Sequence, residues 1–319
     1  MRLLIAFIGL SLLWSLTPLA IKWSGEGPGF LLGAALRMAV GYAGVLAVVL
    51  LARLRVPLDG RALLSYVAGS VQIFGSMSLT YWSAQHLPSG WISVVFGLTP
   101  LITAPLAALV LREPSLTPLR LLSYGLGSLG LALMFHTALK LSATAVLGIL
   151  GILLAACLQA LSAVWVKALD RPLNPFVQLA GTLTLAVPLY FGVWWLVEGD
   201  WPPSLPQRAL YSIGFLGLIA TTFGFALYFY ILKHLAAGRV ALITLITPVL
   251  SLYVGDLLNQ EPITPGVLLG TLMIVSALIL YEWSALSSLL FGARATPRPQ
   301  RGSATARRSR RRFRASFRR

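Results

Sequence analysis

The sequence predicts an all-α integral membrane protein: ten transmembrane helices arranged as two inverted five-helix repeats around a central cavity. Three observations predict it. The 319 residues are 57% hydrophobic and 11% charged, with mean hydropathy +0.83, which is more apolar surface than a soluble core buries. Ten segments are free enough of charge to cross a hydrocarbon core, and their apolar runs are too continuous for the alternating strands of a barrel. The chain also matches itself without a gap, residues 85–114 on residues 233–262.

The segments run 3–22, 29–52, 63–84, 90–111, 118–136, 145–167, 175–197, 209–232, 238–258 and 265–283. The first follows Arg2 and could pass for a signal peptide. Its length, the lack of a small-x-small cleavage site and the many later spans make it a retained helix. Turn and breaker residues punctuate the rest: Gly25 to Gly29, Pro57 to Gly60, Pro88 and Ser89, Glu113 to Pro118, Arg171 to Pro175, Trp201 to Pro206, and Glu261 to Pro265. Several breaks are short enough to force antiparallel neighbours.

Orientation follows from Lys and Arg on alternate loops. With the N-terminus inside, the inner set is Arg2, Arg53, Arg55, Arg61, Arg112, Arg120, Lys167, Arg171, Lys233 and Arg239, while the outer set is Lys22, Lys140 and Arg208. Both termini are therefore expected in the cytoplasm. Eleven of the 25 basic residues are arginines from Arg294 on. That tail has little to bury and is expected to be a disordered, solvated, positive-inside tail, with attraction to anionic lipid as the next reading and nothing else in the chain to support nucleic-acid binding. Cys157 lies in an apolar segment and is expected to be a buried thiol with neither a disulfide nor a metal partner.

In the repeat, His86, Leu87, Gly90, Thr99, Pro100, Leu109, Glu113 and Pro114 fall on His234, Leu235, Gly238, Thr247, Pro248, Leu257, Glu261 and Pro262. A weaker echo sets Trp14 to Lys22 against Gln159 to Lys167. Five helices per copy is an odd number, so the second copy inserts upside down. Inverted repeats with exchanged sidedness give one protein two open forms of similar energy, the logic of alternating access with a site near the midplane. The expected division is 1–140 for the first repeat, 141–284 for the second and 285–319 for the tail.

The run HLPSGWISVVFGLTPLITAPLAALVLREP, its second copy ending in QEP, and Leu36-Arg37 in the second helix resemble the drug/metabolite transporter superfamily, specifically its EamA-type ten-helix exporters. The resemblance covers residues 1–284. It implies a bundle around a cavity lined by helices one, three, four, six, eight and nine, a prokaryotic inner-membrane location, and export of amino acids or other metabolites. The aromatic residues on those helices are similar to those of aromatic amino acid exporters.

Candidate substrate-binding residues follow from position. Gln72, Ser76, Thr80 and Ser83 make a polar stripe on helix three, with Tyr81 beside it, facing either the cavity or a neighbouring helix. Trp14 and Trp165, with Gln159 at the repeat equivalent of Trp14, lie too deep for an interfacial belt, which accounts for Trp195, Trp201 and Trp283. Phe225, Tyr228 and Phe229 extend the aromatic set on helix eight. Pro100 and Pro248 interrupt helices four and nine and are candidate hinges, their freed carbonyls served by a neighbouring threonine or by water. Gly69, Gly75, Gly97, Gly214, Gly217 and Gly224 are expected to serve packing.

Arg37 is the clearest ionisable residue within a span. It binds a substrate carboxylate, holds helices together or snorkels, and the resemblance, with an arginine here across many substrates, implies the structural role. Lys22 and Lys167, at span ends, are expected to snorkel as anchors.

None of the nine carboxylates occupies mid-membrane, which favours facilitated export or uniport over carboxylate-based proton antiport. Competing transport readings are proton-coupled drug or metabolite export and exchange of nucleotide-linked or phosphorylated sugars. An intramembrane enzyme lacks HExxH, paired catalytic side chains and a cofactor motif, so no catalytic residues, cofactor or metal are expected. The expected partners are a small-molecule substrate and lipid, around a monomer.

Overall fold

The computed structural model describes residues 2–111, 117–224, 227, 237–283 and 287, and among them it is helical with no strand. The first repeat comprises α1 (Arg2–Ser24), α2 (Phe30–Leu51), α3 (Gly60–Ala84), α4 (Ser89–Leu111) and α5 (Pro118–Leu141). The second comprises α6 (Ala143–Ala168), α7 (Pro175–Val197), α8 (Gln207–Gly214, continuing through Phe215–Phe223), α9 (Ala237–Asn259) and α10 (Pro265–Tyr281).

Local sequence sets the helix starts. Asp59, Thr117, Ser142, Asn174 and Thr264 each accept a backbone N–H from the first turn that follows, and Pro118, Pro175 and Pro265 begin their helices where a missing N–H costs nothing. α2 has no such side chain. Its N-cap is Gly29, at φ 84°, and the carboxylate of Glu198, just past α7, accepts from the N–H groups of Leu31 and Leu32. A Cβ on Gly29 would stand 2.7 Å from that carboxylate, so glycine there answers both backbone and space. Burial raises the pKa of Glu198 against those two hydrogen bonds.

Two helices depart from α geometry at related places. α3 carries a π-helical stretch, Val71–Ser76, and α8 carries another, Phe215–Phe223. Thr221 Oγ1 donates to the Leu216 carbonyl five residues back. The shift that superposes 85–114 on 233–262 also carries Gln72 and Ile73 onto Ala220 and Thr221.

Packing uses small residues where helices cross, as expected where lipid is as apolar as leucine. α5 and α10 meet through Gly130 and Gly270, each so close that a Cβ would reach the carbonyl of the other at 2.9 and 3.1 Å. Gly69, Gly75, Gly97, Gly217 and Gly224 touch neighbouring side chains, whereas Gly214 faces open space and packs nothing. The outer wall is leucine-rich: Leu51, Leu109, Leu196 and Leu257 are each at least 80% exposed, a surface that only lipid can cover. Cys157 corrects its expectation. It is exposed on that wall, because it falls outside the face of α6 that packs through Ile149, Ile152, Ala156 and Ala160.

Candidate functional site

A cavity of about 1200 Å³ runs from the middle of the bundle to the end where α4 finishes and α5 begins. α1 contributes Trp14, Thr17 and Ile21 to its wall, α3 contributes Gln72, Met77 and Thr80, and α6 contributes Gln159, Ala163 and Lys167. α4 lines one whole side, and Arg120, Tyr281 and Glu282 stand at the mouth. Arg120 lies over the Tyr281 ring, 5.1 Å from its centroid. Beside the cavity a recess of about 140 Å³ shares Trp14, Thr17, Arg37, Gln72 and Met77 with it and is closed by Ile73, Ala220 and Thr221 among others. The two π stretches therefore face each other across this recess.

Among the sequence-predicted residues, Trp14, Gln72, Gln159 and Pro100 stand on the cavity wall. Tyr81 is fully buried behind it, within 3.5 Å of Arg37 Nη1 and of Ser24 Oγ. Ser76 is buried, its hydroxyl without a partner among the described residues, and is not on the wall, and Ser83 is likewise buried, against Gly151 of α6. Trp165 does not line the cavity either. It sits two residues beyond Ala163, about 200° round the helix, and is half-buried elsewhere. Phe225, Tyr228 and Phe229 lie outside the described residues.

Pro100 does not interrupt a continuous helix. α4 is interrupted after Phe96 and resumes at Thr99, so Pro100 is the second residue of a new helical segment. The Phe96 carbonyl accepts from Thr99 Oγ1 at 2.6 Å, the threonine rescue expected from sequence. Pro105, within α4, was not singled out by sequence. Pro248 does lie within an unbroken α9, buried, beside Gly97.

The opposite end of the bundle is closed. Glu261 Oε2 accepts from the Ser89 N–H at 2.6 Å and from Ser89 Oγ at 2.7 Å, while Oε1 receives Lys22 Nζ at 3.1 Å and Asn259 Nδ2 at 2.8 Å. Lys22 Nζ also donates to the Leu87 carbonyl at 3.1 Å. Lys22 is therefore not a snorkelling anchor; it fastens α1 to the α3–α4 and α9–α10 turns. Around it Asn259 accepts from Trp23 Nε1 and Arg208 Nη2, both at 3.1 Å, and Arg208 stacks 4.0 Å over the Trp23 ring. Burial alone would raise the Glu261 pKa, but the Ser89 hydrogen bonds, the Lys22 charge and Asn259 outweigh it and hold the carboxyl below its ordinary range. Sequence reading placed Glu261 in a loop and missed the latch, since its partners lie 172 and 239 residues away.

Repeat-related walls have opposite fates. Thr103, Ala104, Ala107 and Leu111 of α4 line the cavity. Their equivalents in α9 are Ser251, Leu252, Gly255 and Asn259, and these are packed shut. Ser251 Oγ donates to the Ser15 carbonyl at 2.9 Å and meets Ser93 Oγ at 2.8 Å, Leu252 presses on Gly90, and Gly255 abuts Glu261 and Ser89. One copy of the repeat thus forms an open wall and the other a seal.

The EamA-like transporter family matches residues 1–136 and again residues 146–283. The chain belongs to this family. The EamA-like chain is 24% identical to the uncharacterized transporter YoaV of Bacillus subtilis, over 86% of its own length and 94% of that protein's. It is 27% identical to an uncharacterized transporter of Archaeoglobus fulgidus over 58% of this chain and 65% of that one. A solved crystal structure shares the EamA-like fold at TM-score 0.63 and 21% identity, covering 89% of this chain and 98% of that chain.

Proposed function

We propose that this membrane transporter exports small organic metabolites, chiefly amino acids with aromatic or other neutral side chains, by alternating access and without obligatory proton coupling. The observation that carries the reading is the asymmetry of the two repeats around a cavity with Trp14 on its wall. A chain whose copies are related by sequence but differ in packing has a second arrangement available in which the roles exchange. Trp14 offers stacking to a flat apolar body, and Gln72 and Gln159 offer neutral hydrogen bonds beside it. Pro100 and Pro248 serve as hinges, at a helix interruption in one copy and within a continuous helix in the other.

Among the described residues, the one carboxylate on the wall is Glu282 at the mouth, and Glu261 is held in the latch. Neither sits where a proton relay through the middle of the bundle needs it. The basic excess on the loops at the α4–α5 end makes that end cytoplasmic, in a prokaryotic inner membrane with both termini inside.

The test is counterflow in liposomes, with labelled phenylalanine, tryptophan, threonine and a quaternary-ammonium dye, with and without a pH gradient. Phenylalanine and tryptophan flux indifferent to pH and lost in Trp14→Ala supports the reading. Flux that requires a pH gradient overturns the uncoupled mechanism, and dye flux without amino acid flux overturns the substrate.

A further inference from the structure

The recess between the two π stretches is lined by Arg37, with which no carboxylate pairs among the described residues. Arg37, on α2, is only 8% exposed, yet its one hydrogen bond is a 3.5 Å contact from Nη1 to Tyr81 Oη, long for a charged donor. Its guanidinium carbon stands 5.9 Å from the Tyr81 ring centroid. Its Nε is buried with no partner, and no carboxylate pairs with it among the described residues. An arginine that served to tie helices together would spend its donors on backbone carbonyls or on an acid of a neighbouring helix. Among the described residues this one spends its donors on neither.

Place and size agree. Arg37 lines both the large cavity and the recess, and the recess is bounded by Gln72 and Ile73 on one side and their repeat equivalents Ala220 and Thr221 on the other. π-helical insertions gather at functional sites, and here two of them bracket the pseudo-twofold position where the halves meet. At about 140 Å³ the recess takes a headgroup of a few heavy atoms, while an aromatic body belongs in the cavity of about 1200 Å³ next door, with Trp14 shared between the two.

We propose that Arg37 forms a carboxylate-binding subsite: the guanidinium takes a carboxylate of the cargo as a paired acceptor, Tyr81, buried behind it, positions the guanidinium, and the apolar body extends past Trp14 into the cavity. This rests on the reading of the chain as a transporter of small organic molecules, but asks only for a carboxylate, not for an amino acid. It replaces the structural role expected for Arg37.

The test uses the full chain in detergent and four probes that share a phenyl body: L-phenylalanine, 3-phenylpropionate, phenethylamine and phenyl phosphate, read by ligand-induced thermal stabilisation. Both carboxylates are expected to stabilise the protein and phenethylamine is not. Arg37→Gln is expected to weaken carboxylate binding ~10-fold or more, as for loss of a charged hydrogen-bond partner, with partial recovery in Arg37→Lys and a smaller loss in Tyr81→Phe. If Arg37→Gln does not fold, the probe ranking on the native chain still decides. Phenethylamine binding as well as phenylalanine, no binding by either carboxylate, or unchanged carboxylate binding in Arg37→Gln overturns the subsite. Phenyl phosphate binding more tightly than both carboxylates through Arg37 overturns it in favour of a phosphoryl site. Arg37-dependent binding of 3-phenylpropionate with no amino acid flux in liposomes leaves the subsite standing and removes the amino-acid reading; amino acid flux untouched by Arg37→Gln does the reverse.

Discussion

The Thr-Pro dipeptide occurs on two repeat-related helices, at Thr99-Pro100 in α4 and at Thr247-Pro248 in α9, and the two helices use it differently. α4 breaks just before it and its continuation walls an open cavity, while α9 runs unbroken through it and its continuation seals the far end. A shared dipeptide therefore does not dictate a shared structure here. The difference comes from tertiary partners: α9 ends beside Glu261, which is bonded to Ser89 and Lys22, so the residues preceding it are drawn into contact with α1 and the start of α4.

Removing the latch should break that difference most severely. Glu261→Ala leaves Lys22 without its carboxylate and the Ser89 N–H without its acceptor, at a cost of about 2–3 kcal/mol. The expected outcome is a population with the sealed end open. It is measured as thiol labelling of a cysteine placed at Ser251 in a Cys157→Ser background, with Glu261 intact as the control. Equal labelling with and without Glu261 means that the latch holds nothing.

A paired substitution sharpens the comparison of walls. Ser251→Leu forces a larger side chain against the Ser15 carbonyl and should destabilise by about 1–3 kcal/mol, whereas Thr103→Leu projects into the cavity and should stay within about 0.5 kcal/mol. Thermal denaturation reads both, and equal losses mean that the two walls are packed alike.

The proline pair should have a smaller effect, and on rate. Pro248→Ala restores a backbone donor inside α9, stiffening it, and is expected to slow counterflow several-fold. Pro100→Ala, at the second position of a helical segment, supplies a donor that needs no helical partner and leaves the break after Phe96 in place, so it should slow flux less than Pro248→Ala. A slower Pro100→Ala than Pro248→Ala reverses the assignment of the moving helix.

The smallest effect concerns pH. Glu261 has a folded-state pKa below its ordinary value, so its stabilisation is fully present above the unfolded carboxylate range, about 4.3, and is lost as pH falls through the lower folded value. Melting temperature should show no Glu261-dependent change between about pH 5.5 and 8, and the gap between native protein and Glu261→Gln should close only below about pH 4. A gap that closes near neutrality contradicts the direction of the shift.

The spans and the doubled unit are legible in the sequence because each rests on neighbours in the chain: an apolar run, a repeated string. Trp14, Gln72 and Gln159 were legible as cavity residues for the same reason, being polar or aromatic within apolar helices. Trp165 was misleading because its composition resembles that of Trp14 while its helical phase carries it off the wall. The π stretches left no local signature, since VQIFGS and FLGLIATTF read as ordinary apolar helix. The Lys22–Glu261 pair is a contact between the two ends of the chain. Exposure of Cys157 depends on which face of α6 meets its neighbours, and one cysteine carries no information about that.

The Gly130–Gly270 contact has a mechanical consequence. α5 and α10 close their respective repeats, and they lie so near each other that neither tolerates even a methyl group without displacing backbone. Two rods in such contact have little play in tilt or in sliding, because any shift drives a carbonyl into an α-carbon. In the alternating-access cycle proposed above, this pair is suited to be the stator, the fixed axle of the bundle.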